Sequence, residues 1–186
     1  MTKQQALAQI AKRIARCKEC KYHPKQKPVP GEGNPDAKVM FIGEAPGSKE
    51  NETGRPFVGR AGKFLEEFLH SIGLKREDVF ITNVVKYQPP NNRPPTKREI
   101  QRQLPFLKEE IAIVSPLLIC LLGSTALNAL LPEIRKPISK LHGRLIEKDN
   151  RFFLPLYHPI SPVPKRTFLK DFAKIPEYLK KIEAKQ

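Results

Sequence analysis

The sequence predicts one α/β domain over residues 1–186, with a parallel sheet covered by helices on both faces. Three observations carry that reading. Short apolar runs such as Val39–Ile42 and Leu117–Leu122 alternate with longer stretches of helical periodicity, and such runs suit strands buried on both faces. Each run ends at a glycine or a polar residue, as a strand feeding a loop does. No internal repeat and no separate linker interrupts the alternation.

In chain order, Leu7, Ile10, Ala11 and Ile14 recur at helical spacing and predict an amphipathic helix over residues 4–16. A loop containing Pro and Gly follows to about Asp36. Lys38 to Ile42 reads as a buried strand ending at Gly43, and Phe64, Leu65, Phe68, Leu69 and Ile72 mark a helix that Gly73 can close. Val79 to Val85 is β-branched and apolar around one polar residue, Asn83, and predicts a second strand. A Pro-rich loop leads to Thr96, an N-cap with Glu99 as its capping-box partner, and the helix then runs to about Val114 with Pro105 expected to kink it. Leu117 to Leu122 is the next strand, and Gly123-Ser124 opens a short helix through Leu131. Arg144 to Ile146 and Phe152 to Tyr157 read as later strands, and Phe168 to Ile182 as a single closing helix.

Charge narrows the class of partner. Lys and Arg number 34 against 19 Asp and Glu, a formal net charge of +15, which favours a polyanion, nucleic acid being the commonest. Eight of the first 28 residues are basic, and further basic stretches lie at Arg93–Arg102 and at Lys165, Arg166 and Lys170. No run of about 18 apolar residues occurs, so no membrane span is expected. The beginning MTKQQALAQIAKR lacks the apolar stretch of a secretion signal, so a cytoplasmic, nucleoid-associated protein is expected. Three cysteines are too few for a disulfide framework.

In open parallel sheets ligands bind beyond the carboxyl ends of the strands, and three polar or glycine-rich segments fall there. Gly43-Glu44-Ala45-Pro46-Gly47 forms a tight turn that exposes backbone N–H groups and carries one acid. Downstream, Phe57 sits in a loop full of glycine, where packing alone would not ask for an aromatic. Asn83 ends an apolar strand, where its amide either caps a loop or contacts a ligand. His158, in Tyr157-His158-Pro159, follows the last strand and is a candidate electrophile or acid. Each segment alone is readily structural; three meeting at one edge are harder to explain that way.

These motifs, with Gly54 to Gly62, Asn83-Val84-Val85-Lys86 and Asn92-Arg93-Pro94-Pro95-Thr96, resemble family-4 uracil-DNA glycosylases from about Ile10 to Phe172. The resemblance implies a three-layer α/β/α sandwich around a mainly parallel four-stranded sheet. It implies a uracil pocket of Gly43, Glu44, Ala45, Pro46, Gly47, Glu50, Phe57, Asn83 and His158. Phe57 would stack on the flipped base, Asn83 would pair with O4 and N3–H, and His158 would donate to O2. Glu44 would position water or stabilise the sugar cation, and Glu50 would obstruct a thymine methyl. Ile160 and Val163 are candidate wedges for the gap in the duplex, with Ser161 beside them and Lys165 and Arg166 on flanking phosphates. Single- or double-stranded uracil-containing DNA is the expected partner, a sliding clamp a further candidate, and the expected form a monomer. Two other readings stand beside it: a glycosylase for hypoxanthine or xanthine, and a non-catalytic DNA-binding protein.

The resemblance also implies a four-iron cluster on four cysteines, and here the sequence departs from it. Cys17 and Cys20 match the first pair, but Tyr87 and Gln103 stand where the others would fall. Cys120 lies inside an apolar run and reads as a small hydrophobe. Such clusters need four thiolates, so no cluster and no metal is expected. Cys17 and Cys20 are left as a remnant, a disulfide or half of a weak metal site.

Overall fold

The computed structural model describes residues 1–185 and contains six strands: β1 (Glu32–Gly33), β2 (Val39–Gly43), β3 (Phe80–Asn83), β4 (Leu118–Leu122), β5 (Ile146–Lys148) and β6 (Arg151–Leu156). They form one sheet in the order β1-β3-β2-β4-β6-β5. The parallel centre is β3-β2-β4-β6, the four strands expected, and β1 and β5 add an antiparallel strand at each edge. The sheet is therefore six-stranded rather than the four-stranded one the resemblance implies, and the strand expected at Arg144–Ile146 is β5, displaced to Ile146–Lys148. β1 is too short to show an alternation. β5 joins β6 through Asp149 and Asn150, both at positive φ (51° and 59°), which is two-residue hairpin chemistry.

The helices are α1 (Lys3–Arg16), α2 (Ser48–Thr53), α3 (Arg60–Ser71), α4 (Lys97–Val114), α5 (Ser124–Leu130), α6 (Ile138–Leu141), α7 (Lys165–Phe172) and α8 (Lys174–Glu183). Thr96 caps α4 in a complete capping box with Glu99, and the helix continues through Pro105. The single closing helix is instead two. Pro176 has no N–H to give the Phe172 carbonyl and its ring crowds that turn, so the chain breaks between Phe172 and Lys174.

Register and period together build the layers. Phe41 pairs with Ile81 and Cys120, and Cys120 with Leu154, so one row of side chains crosses the parallel strands on a single face. That row packs with Leu65 and Phe68 of α3, Phe172 of α7 and Ile175 of α8. The alternate residues Met40, Ile42, Phe80, Ile119, Leu121 and Phe153 face the other way, against Leu107 and Ile111 of α4 and Leu127 of α5. Both faces are thus covered, as the continuous apolar runs predict. On the far side of α4, Ile10 and Ile14 of α1 bury themselves with Cys20 and Tyr87. Cys120 is fully buried in the core, and burial pushes its thiol well above the ordinary range.

Candidate active site

The carboxyl ends of β2, β3 and β6 deliver Glu44, Asn83 and His158 to one cavity of about 420 Å³. Backbone bonds lock the first two ends together: Val84 N–H donates to the Gly43 carbonyl at 2.9 Å and Val85 N–H to that of Glu44 at 3.2 Å. The wall includes Glu44 to Glu50, Phe57, Asn83 and His158, and the exposed Lys49, Arg60, Asn92 and Ile160 line its outer part. A Cβ on Gly43 would lie 2.4 Å from Phe57 Cζ and 2.6 Å from Asn83 Oδ1, so only glycine lets these two groups meet there.

Phe57 is held against its own preference. It is buried at φ 50°, a conformation bulky residues avoid. Its carbonyl accepts from Arg76 Nη1 at 2.6 Å, and Gly62 approaches so closely that a Cβ would stand 1.9 Å from that oxygen. Glu50 sets the same loop: Oε1 accepts from the N–H groups of Val58 and Gly59, both at 3.1 Å. The carboxylate expected near uracil C5 lines the cavity and also ties down the loop carrying Phe57.

Asn83 rests on a buried polar network. Lys86 Nζ donates to Glu110 Oε2 at 2.7 Å, to Thr82 Oγ1 at 2.6 Å and to the Asn83 carbonyl at 2.8 Å. Glu110 Oε1 accepts from Gly31 N–H at 2.8 Å, so the network joins β3, α4 and the loop before β1. Burial lowers the Lys86 pKa, with Glu110 opposing it. Above this floor Asn83 Oδ1 is buried and has no hydrogen-bond partner among the described residues. A buried amide oxygen left bare is costly and suits a donor that arrives with a ligand.

His158 packs at 6.2 Å from the Phe57 ring, centroid to centroid. Burial lowers its pKa from the ordinary histidine value, against the opposing charge of Glu44, which favours the neutral imidazole. Glu44 Oε2 accepts a short hydrogen bond from Thr125 Oγ1 at the start of α5. The carboxyl end of β4 therefore joins the other three, and sequence reasoning missed it because Gly123-Ser124-Thr125 reads simply as a helix start.

The Uracil DNA glycosylase superfamily pattern matches residues 30–183. The chain belongs to that superfamily. It is 39% identical over 97% of its length to a type-4 uracil-DNA glycosylase of Thermotoga maritima, covering 98% of that protein. It is 40% identical to one of Saccharolobus solfataricus, over 91% of this chain and 85% of the relative. A type-5 uracil-DNA glycosylase of Thermus thermophilus is 36% identical over 56% of this chain.

Within the superfamily frame, the loop after His158 presents Ile160, which with Met1 makes up the exposed large apolar side chains of the described residues. Val163 packs partly against the core and Ser161 is half-buried beside His158. Lys165 pairs with Glu67 of α3, and Arg166 is exposed on the first turn of α7. Arg60 and Lys49, which sequence reasoning did not single out, stand nearer the cavity than either.

The cysteine corner does not fit a four-iron cluster. Cys17 and Cys20 are joined as a disulfide. Tyr87 is fully buried and donates its hydroxyl to the Ile14 carbonyl at 2.8 Å. Gln103 Oε1 accepts from Lys86 N–H at 2.6 Å. Both groups at the remaining ligand positions are committed within the protein, and neither is a thiolate. Among the described residues no helix is long and apolar enough to cross a membrane.

Proposed function

We propose that this chain is a monofunctional uracil-DNA glycosylase of base-excision repair, which flips uracil from DNA and hydrolyses its N-glycosidic bond. The observation that supports it most directly is the buried Asn83 amide, whose bare Oδ1 lies in the wall of a cavity shared with Phe57 and His158. Uracil brings N3–H to that oxygen and O4 to the amide N–H, whereas cytosine offers an acceptor at N3 and a donor at position 4. Phe57 supplies the stacking surface, preset by its strained backbone.

Cleavage of C1′–N1 moves the bonding pair to the base and leaves an electron-poor sugar. The negative charge on the leaving uracil gathers on O2 and O4, and neutral His158 donates to O2, where charge exists only late in the reaction. Glu44 faces the sugar as a carboxylate, stabilising its positive charge and orienting the water that adds to C1′; the proton this water releases neutralises the departed uracil anion. No amine is needed for this step: Lys86 is buried in its ion pair with Glu110, and Lys49 at the cavity's outer part pairs with Glu52. Ile160 fills the space left by the flipped base, and Arg166, Arg60 and Lys49 contact phosphates. The committed Tyr87 and Gln103 groups support an enzyme working without an iron–sulfur cluster. The working form we propose is a cytoplasmic, nucleoid-associated monomer, with a sliding clamp as candidate carrier; gel filtration with and without clamp tests both.

The deciding experiment is alkali cleavage of a labelled uracil-containing strand after incubation, beside strands with hypoxanthine, xanthine and thymine. Abasic sites at uracil alone are expected, and His158→Ala should lose ~10²–10³ in rate. Binding without abasic sites overturns the reading in favour of a non-catalytic DNA-binding protein. Iron quantification of the purified protein tests the cluster reading, and stoichiometric iron overturns it.

A further inference from the structure

We propose that Thr125 is a positioning residue of the excision reaction: its hydroxyl fixes one oxygen of Glu44 so that the other is presented to the base and sugar. The inference rests on the glycosylase reading, and its test separates the two.

The geometry begins at the turn after β4. Gly123 stands at φ 92°, outside the reach of most side chains, and its N–H donates to the Leu156 carbonyl at 2.9 Å. That bond ties the start of α5 to the end of β6, the strand that delivers His158. A Cβ on Gly123 would come within 3.4 Å of His158 Cβ, so the turn and the imidazole are packed against each other. The next residue but one is Thr125, whose Oγ1 donates to Glu44 Oε2. The side-chain hydrogen bond to Glu44 falls on Oε2, and Oε1 accepts none among the described residues. One carboxylate oxygen is therefore fixed and the other free.

Glu44 also lies between two spaces. One is the cavity lined by Asn83 and Phe57, and the other is a recess of about 300 Å³ lined by Leu122, Thr125, His158 and Ile160. Both are large enough for water. A glutamate has several staggered rotamers, and the free energy separating them is small unless a partner selects one. The Thr125 hydroxyl supplies that selection. Without it the carboxylate is free to turn toward the recess or toward His158, and the reacting groups lose their alignment.

The test is single-turnover excision from a uracil-containing oligonucleotide by the full chain, comparing wild type with Thr125→Val, Thr125→Ser, Glu44→Ala and the Glu44→Ala/Thr125→Val pair. Thr125→Val preserves shape and removes the donor, and it should lower the rate of the chemical step about 10- to 100-fold, with DNA affinity unchanged within about 2-fold. Thr125→Ser should restore most of the rate. On the Glu44→Ala background Thr125→Val should cost nothing further, because the group it positions is gone. Melting curves accompany each variant, and Thr125→Ala replaces Thr125→Val if the latter does not fold. Full activity of Thr125→Val, failure of Thr125→Ser to rescue, a loss confined to DNA affinity, or an equal loss on the Glu44→Ala background each overturns the proposal. Full activity of Glu44→Ala also overturns it. A wild-type protein that leaves uracil in place overturns the glycosylase reading itself, before any variant is made.

Discussion

Replacing Lys86 by Met tests the floor beneath Asn83. Met matches the length of the lysine stem and removes the ammonium. Glu110 Oε2 then loses its donor at 2.7 Å and keeps only the Thr82 hydroxyl at 2.7 Å, while the Asn83 carbonyl loses its bond at 2.8 Å. Both members of the ion pair are buried, with side-chain exposures of 0% and 2%, so the remaining carboxylate has no water to turn to. Breaking a buried pair from one side costs about 3–5 kcal/mol, far more than an exposed pair would. At roughly 2–4 °C per kcal/mol for a chain of this size, the melting temperature should fall by about 6–20 °C. Replacing both partners, as Lys86→Met with Glu110→Leu, removes the stranded charge and should recover part of that loss. Thermal and urea unfolding followed by circular dichroism measures all three proteins. A loss below about 1 kcal/mol for Lys86→Met, or a double variant no more stable than the single one, refutes the reasoning.

The His158 ring should titrate below 6.5 by NMR, and Glu44→Ala should lower that pKa further, since the carboxylate opposes the effect of burial; an upward shift contradicts the assignment. Ile160→Ala should slow excision from duplex DNA about 10-fold and leave single-stranded substrate unaffected, because only the duplex has a gap to fill; equal losses on both substrates remove the wedge role. Arg93, more than burial opposes it, holds Glu99 at about 2, so its contribution to stability is present above pH 4.5 and lost as pH falls from 4.5 toward 2. Glu99→Gln should therefore melt below wild type at pH 7, with the gap closing through that window; a gap independent of pH contradicts it.

The parallel strands were legible because each is an uninterrupted apolar run, and burial on both faces leaves that mark. The edges were less so: β1 has only two residues, and β5, read at Arg144–Ile146, lies at Ile146–Lys148 because the Asp149-Asn150 turn sets its place. At the site, Glu44, Asn83 and His158 were visible as polar residues at strand ends, and their convergence follows from the parallel topology. Thr125 was hidden because threonine at the start of a helix has an ordinary local explanation, and its partner lies 81 residues away. The hold on the Phe57 loop was hidden for the same reason: Glu50, Gly62 and Arg76 meet it only in three dimensions. Sequence displays periodic burial and local capping, whereas bonds between distant loops leave no periodic trace.

The tethering of Phe57 has a kinetic consequence. A base outside the helix is short-lived, and a site that had to order an aromatic loop on each encounter would lose most such visits. If Phe57 stacks on the base as proposed, the ordering cost is met once, when the chain folds, and the surface is in place before the base swings out. Loosening the loop at Arg76, which lies outside the cavity, should show itself first as missed encounters, with the chemical step intact in those that succeed.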